Sequence, residues 1–152
     1  MATSVIPALI DALVTNAKAN LADINVLDGY GVTDDPGDFL MVGVDDPLRD
    51  DEAQSGTSQQ SWANANGTAR DEIGDVWCSA YSWNGNGDQK GARDAAYATV
   101  AAVENMLRAN PALGVAGLIY SEFGTSQTLT QNQDEHGASA RVSFQVHFRA
   151  RI

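Results

Sequence analysis

The sequence predicts an α+β domain in which two helices pack on a mostly antiparallel or mixed sheet and the chain ends in a long strand. Three observations predict this class. Apolar residues recur with a helical period over residues 5–17. An alanine-rich segment over residues 92–109 is typical of a second helix. Residues 141–152 alternate strictly between polar and apolar side chains, as in a half-buried antiparallel strand.

The first half of the chain predicts one helix followed by short strands. Ser4 is a suitable N-cap, and Pro7 falls in the first turn, where a missing N–H costs little. Two short strands are expected next, at residues 24–27 and 39–44. Residues 45–58 are polar and acidic without any periodicity, which predicts a long loop.

The second half predicts the centre of the sheet. Residues 57–63 are expected to form a strand that pairs forward with a long central strand over residues 72–83. One face of the central strand carries only small or slim side chains, namely Gly74, Val76, Cys78, Ala80 and Ser82. A helix can lie close on such a face, and the segment 92–109 is the natural candidate. Two further strands are expected before the terminal one, at residues 113–123 and 125–131.

The charge of the chain is concentrated in one stretch. Residues 22–75 hold thirteen acidic and two basic residues, which accounts for the whole net charge of −11. This block repels a phosphate backbone and argues against ordinary nucleic-acid binding, which needs Lys and Arg. It suits a solvated surface, a basic protein partner, or a channel wall past which DNA slides without sticking. The loop contributes the acidic residues Asp45, Asp46, Asp50, Asp51 and Glu52.

No constellation for catalysis or metal binding stands out in the sequence. His136 and His147 lie far apart without a cysteine partner, so no zinc site is predicted. Cys78 is the only cysteine and lies in an apolar run, which predicts a buried core residue rather than a nucleophile. We therefore expect no enzyme, no cofactor and no metal. No apolar run approaches the length of a membrane span. The remote alternative is a small enzyme that holds a metal in the acidic loop.

Two groups of side chains are candidates for a subunit or partner interface. Trp77, Tyr81 and Trp83 share the second face of the central strand, where either another layer of the same chain or a neighbouring subunit covers them. The polar face of the terminal strand carries three bases, Arg141, Arg149 and Arg151. These bases complement the acidic block. The two can meet within one subunit, or between subunits in a head-to-tail contact that closes into a ring.

Several segments carry a family resemblance in their order and spacing. They are Leu27-Asp28-Gly29, the run PGDFLMVGVDDP over residues 36–47, the strand end SWNG over residues 82–85, the helix that begins at Asp88, and the final strand over residues 141–152. Together they resemble tail-terminator proteins of long-tailed, siphovirus-type bacteriophages, and most closely those from phages of actinobacterial hosts. The resemblance covers nearly the whole chain, which implies that residues 1–152 form a single domain.

The resemblance implies a structural virion protein that forms a homohexameric ring on the end of the tail tube. The ring would end tube polymerisation and offer a joining surface to a head-side connector protein. Its partners would be further copies of itself, the tail tube protein and the connector, and DNA would pass through the lumen without specific binding.

On that reading the protein is assembled in the host cytoplasm and lies at the tail end, or neck, of the virion. The five acidic residues of the loop become candidates for a surface that faces the lumen or the connector. The alternative within the same class is another neck ring protein, for head closure or head–tail joining.

Overall fold

The computed structural model describes residues 2–30, 37–46 and 52–152. In these ranges the chain forms two helices and six strands. Their order is α1 (Ile6–Asn20), β1 (Asn25–Asp28), β2 (Phe39–Val42), β3 (Gly56–Trp62), β4 (Arg70–Asn84), α2 (Gln89–Ala109), β5 (Leu118–Asp134) and β6 (Gly137–Arg151).

All the described strands belong to one mixed sheet. The order is β1-β2-β4-β6-β5, and β3 pairs with β4 beyond the end of β2. β1 and β2 run parallel, whereas every other described pair is antiparallel. The long strands β4 and β6 pair from Asp71–Arg151 to Asn84–Ala138. The predicted class is confirmed, and so is the forward pairing of β3 with the central strand.

Both helices cover the same face of the sheet. α2 lies on β4, β5 and β6, while α1 lies on β1 and β2 and touches α2. The small residues of β4 that predicted a helix-covered face are all buried. The small side chains of β4 leave room for large ones on β6, where Phe144 and Phe148 are completely buried. The even-numbered residues from Val142 to Ala150 are buried as predicted, and Ile152 is partly so.

Two expected boundaries in the first half differ in the structure. β2 ends at Val42 because Gly43 turns the chain with a positive φ of 81°. β3 begins at Gly56, so the loop is shorter than the expected 45–58. Residues 47–51 of that loop lie outside the described residues.

The strands expected at 113–123 and 125–131 are in fact one strand. Residues 111–114 form a turn before it, with Leu113 buried at a φ of 49°. β5 then runs from Leu118 to Asp134, with an irregular register between Phe123 and Gln127. Gly124, the residue between the two expected strands, allows close approach to β6, because a Cβ there would lie 2.8 Å from the backbone oxygen of Gln145.

Candidate interface surfaces

The second face of the sheet carries no helix among the described residues. We call it the open face and define it by the odd-numbered residues 73–83 of β4 and 141–151 of β6. Ile73 and Trp83 keep 45% and 38% of their accessible surface. The segment that follows β2 lies against the middle of this face, where the Ser79 hydroxyl donates to the Val44 carbonyl oxygen at 3.0 Å.

The three predicted interface aromatics all lie on the open face. Trp77 and Tyr81 are half-buried, and Trp83 is exposed. Tyr81 stacks on Phe39 of the neighbouring strand, with ring centroids 5.8 Å apart. No second layer of described residues covers Trp83. Its role in an interface stays a prediction.

The predicted basic residues meet acids of their own chain. Arg141 Nη1 lies 3.2 Å from Asp46 Oδ1, and this guanidinium is largely buried. Arg151 makes a bidentate contact with Asp71, with Nε–Oδ1 at 2.8 Å and Nη2–Oδ2 at 3.0 Å. Arg149 Nη2 is 3.9 Å from the same carboxylate. The Arg151 hydrogen bond holds the pKa of Asp71 below its usual value.

The acidic block is therefore not one uniform solvated surface. Asp45 is half-buried and accepts the backbone N–H groups of Asp46, at 2.9 Å, and Gln54, at 3.1 Å. Glu52 is exposed. Asp50 and Asp51 lie outside the described residues.

Glu72 has a role that the sequence reasoning missed. It is completely buried on the helix-covered face. Its carboxylate accepts hydrogen bonds from the hydroxyls of Ser4 and Ser58, both at 2.6 Å, from the Val5 N–H at 2.7 Å, and from Gln60 Nε2 at 3.2 Å. The N-cap of α1 is Val5 rather than the expected Ser4, and the Val5 side chain makes no capping hydrogen bond. Glu72 therefore ties the start of α1 to β3 and β4.

The electrostatics of this site follow from two opposing effects. Burial alone would raise the pKa of Glu72, but its hydrogen-bond donors hold the pKa below the usual value of 4.5. A signal for the site was present in the sequence. Glu72 is an even-numbered residue of β4, like the small residues that predict the helix-covered face. A carboxylate on a buried face requires hydrogen-bond partners.

The described residues offer little that resembles a catalytic centre. His147 Nδ1 lies 3.0 Å from Asp75 Oδ1, beside a groove of about 470 Å³ that β3 also lines. His136 is exposed. Cys78 is buried as predicted, and burial raises the pKa of its thiol to about 12. Within the described ranges, no group of three or more His, Cys, Asp or Glu residues is placed to hold a metal ion.

Comparison with solved structures shows a likeness in fold. No protein-family model matches the chain, and no curated protein matches it. A solved chain described as "Virion of native gene transfer agent (GTA) particle" superposes with a TM-score of 0.68. The match covers 99% of this chain and 100% of that chain, at 15% sequence identity. The fold is shared with a virion chain. None of the described helices is long and apolar enough to cross a membrane.

Proposed function

We propose that this protein is a structural virion protein that forms a ring on the tail tube, ends tube polymerisation and provides the surface to which the head joins. The observation that carries the proposal is the shared fold over the full length of both chains with a component of a gene transfer agent virion. The sequence resemblance to tail terminators supplies the position in the tail and the hexameric ring.

The distribution of charged and aromatic residues supports a partner-binding role. The open face presents Trp83 to solvent, and aromatic residues are enriched in interface cores. The acidic residues of the loop suit a basic docking surface on the head-side connector or a lumen that DNA traverses without binding. Growth of a tube stops when a ring binds the growing end and presents a different surface outward, which a heterologous ring can do.

The proposal is tested by mixing the purified protein with purified tail tubes and, separately, with filled heads. We expect it to cap one end of each tube and to block further addition of tube subunits. Preferential binding to heads would instead assign the protein to head closure or head–tail joining. Failure to bind either particle would contradict the proposal.

The acidic loop has a separate test. Replacing Asp50, Asp51 and Glu52 by Asn, Asn and Gln removes the charge while conserving side-chain shape. We expect the capped tails to lose head joining while ring formation is unchanged. The matched control is neutralisation of three exposed acids outside the loop, Asp11, Asp23 and Asp28. Equal loss of joining in both variants would show that overall charge matters rather than the loop.

A further inference from the structure

Three strands of the sheet, β1, β3 and β5, have no strand on one side among the described residues, and β3 and β5 are the two whose residues are mostly exposed. β3 pairs with β4 on one side only, and β5 pairs with β6 on one side only. From Thr57 to Trp62 every residue of β3 is exposed, and so is every residue of β5 from Thr125 to Asp134. Unpaired strand edges present rows of N–H and C=O groups that readily accept another strand.

Neither edge carries the charged or proline residues that commonly prevent such pairing. Soluble proteins commonly protect an edge with Lys, Pro or inward-pointing charges. Residues 53–69, which contain β3, have no charged residue and no proline, and the same holds for residues 123–133 of β5. In a chain with a net charge of −11, these two uncharged segments are surfaces at which a second copy can approach without charge repulsion.

The strand directions make the two edges compatible. β3 is antiparallel to β4, β4 to β6 and β6 to β5, so β5 runs opposite to β3. If the β5 edge of one copy meets the β3 edge of the next, with the sheets facing the same way, the new pair is also antiparallel. The alternation of directions then continues from one copy to the next without interruption.

The side chains at the two edges match as well. Trp62 is opposite Arg70 on β4, and Leu129 is opposite Val142 on β6, so both project on the helix-covered side of the sheet. Trp62 is 65% exposed and Leu129 is 36% exposed. On the other side the exposed edge residues are polar and uncharged, namely Thr57, Gln59 and Ser61 on β3 and Thr128, Thr130 and Asn132 on β5. Polar residues thus face polar residues, and each edge brings one large apolar side chain.

We propose that copies of this chain join head to tail by pairing β5 of one copy with β3 of the next into a continuous antiparallel sheet. This inference rests on the proposed function for one point, namely that the row of joined copies closes into a ring. A contact between two β5 edges across a two-fold axis is the competing arrangement. It would leave every β3 edge open and would stop at a dimer.

Cysteine cross-linking tests the contact directly, because the native Cys78 is buried and does not compete. Gln59→Cys is combined in one chain with Thr128→Cys, Thr130→Cys or Asn132→Cys, three choices on the same side that cover the possible registers. Opposed residues of paired strands lie at Cα separations that a disulfide can span. Under mild oxidation of the assembled protein we expect a ladder of covalent dimers, trimers and larger species from at least one double variant.

The single-cysteine variants are the matched controls and should stay uncross-linked. Dimers from a β5 single variant would establish the two-fold arrangement and overturn the proposal. An assembled ring that gives no ladder with any of the three pairs would overturn it too, while leaving the terminator role intact. A ladder from a protein that fails to cap tail tubes would support the contact and contradict the proposed function.

A second experiment compares two exposed aromatic residues. Trp62→Glu places a charge on the β3 edge, and Tyr97→Glu places one on the outer side of α2, outside both edge strands. We expect Trp62→Glu to weaken self-association about tenfold or more, measured by light scattering across a concentration series, and Tyr97→Glu to leave it nearly unchanged. The native chain should self-associate in the same series. A native chain that stays monomeric throughout, or an opposite ranking of the two variants, would contradict the edge contact.

Discussion

The two faces of the sheet are built from alternate residues of the same strands, yet they are unlike in almost every respect. On the helix-covered face, Phe144 and Phe148 are completely buried between small residues of β4 and the helices. On the open face, Trp83 is exposed and Arg151 is paired with a carboxylate near the surface. One face is packed against the two helices, and the other leaves part of its side chains exposed. Substitutions of matched chemistry on the two faces should therefore have very different effects.

The largest difference is expected at adjacent residues of β6. Phe144→Asp places a charge in the core and should cost about 5 kcal/mol or more, enough to unfold a domain of ordinary stability. Gln145→Asp makes the same charge one residue along, on the open face, and should change stability little. Thermal unfolding followed by circular dichroism checks both. A folded Phe144→Asp protein with a native melting temperature would show that the faces are reversed.

The next effect concerns the buried carboxylate. Glu72→Ala leaves the Val5 N–H and two hydroxyls without their acceptor and should destabilise the chain by about 2–4 kcal/mol. Glu122→Gln is the control, because Glu122 is an exposed acid opposite His147 on β6. Chemical denaturation measures both free energies of unfolding. Equal free energies of unfolding for the two variants would show that Glu72 does not anchor the start of α1.

The same site predicts a pH dependence. Because the pKa of Glu72 is lowered in the folded chain, its stabilising effect is fully present above its unfolded value near 4.5 and is lost as the pH falls through the folded pKa. The native chain should therefore lose stability in acid more steeply than Glu72→Gln does. The test is the free energy of unfolding measured across this pH range for both proteins. Parallel curves would contradict the assignment.

A smaller effect is expected at the ion pairs of the open face. Asp71→Asn removes the acceptor of Arg151 and Arg149, but both arginines are well exposed. Exposed pairs contribute little and are screened by salt. We expect a slight fall in melting temperature that disappears in high salt. A large, salt-independent fall would mean that the open face helps to hold the subunit together.

We expect no measurable binding of duplex DNA at physiological salt. The acidic block repels phosphate, and the arginines of β6 that the structure describes contact acidic residues of the same chain. Fluorescence anisotropy of a labelled duplex checks this. Micromolar binding that weakens steeply with added salt would overturn the expectation.

The periodicity of apolar side chains predicted the helices and strands well, because burial of one face of an element directly imposes that periodicity on its sequence. The alternation in β6 and the small residues of β4 gave the covered face, and the alanine-rich segment gave α2. Contacts between distant segments could not be predicted in the same way. The partners of Glu72 on α1 and β3, and the pairing of Arg141 with Asp46, depend on tertiary register. The expected break between residues 123 and 125 was wrong, because the strand continues through Gly124, which lies close to the backbone of β6.

The proposed function, ending tail assembly, is tested by electron microscopy of particles produced without the protein. We expect filled heads without tails, together with tail tubes of uncontrolled length. Tails of normal length attached to heads would contradict the proposed function. Free tails of normal length that fail to join heads would instead indicate that the protein forms another ring of the neck.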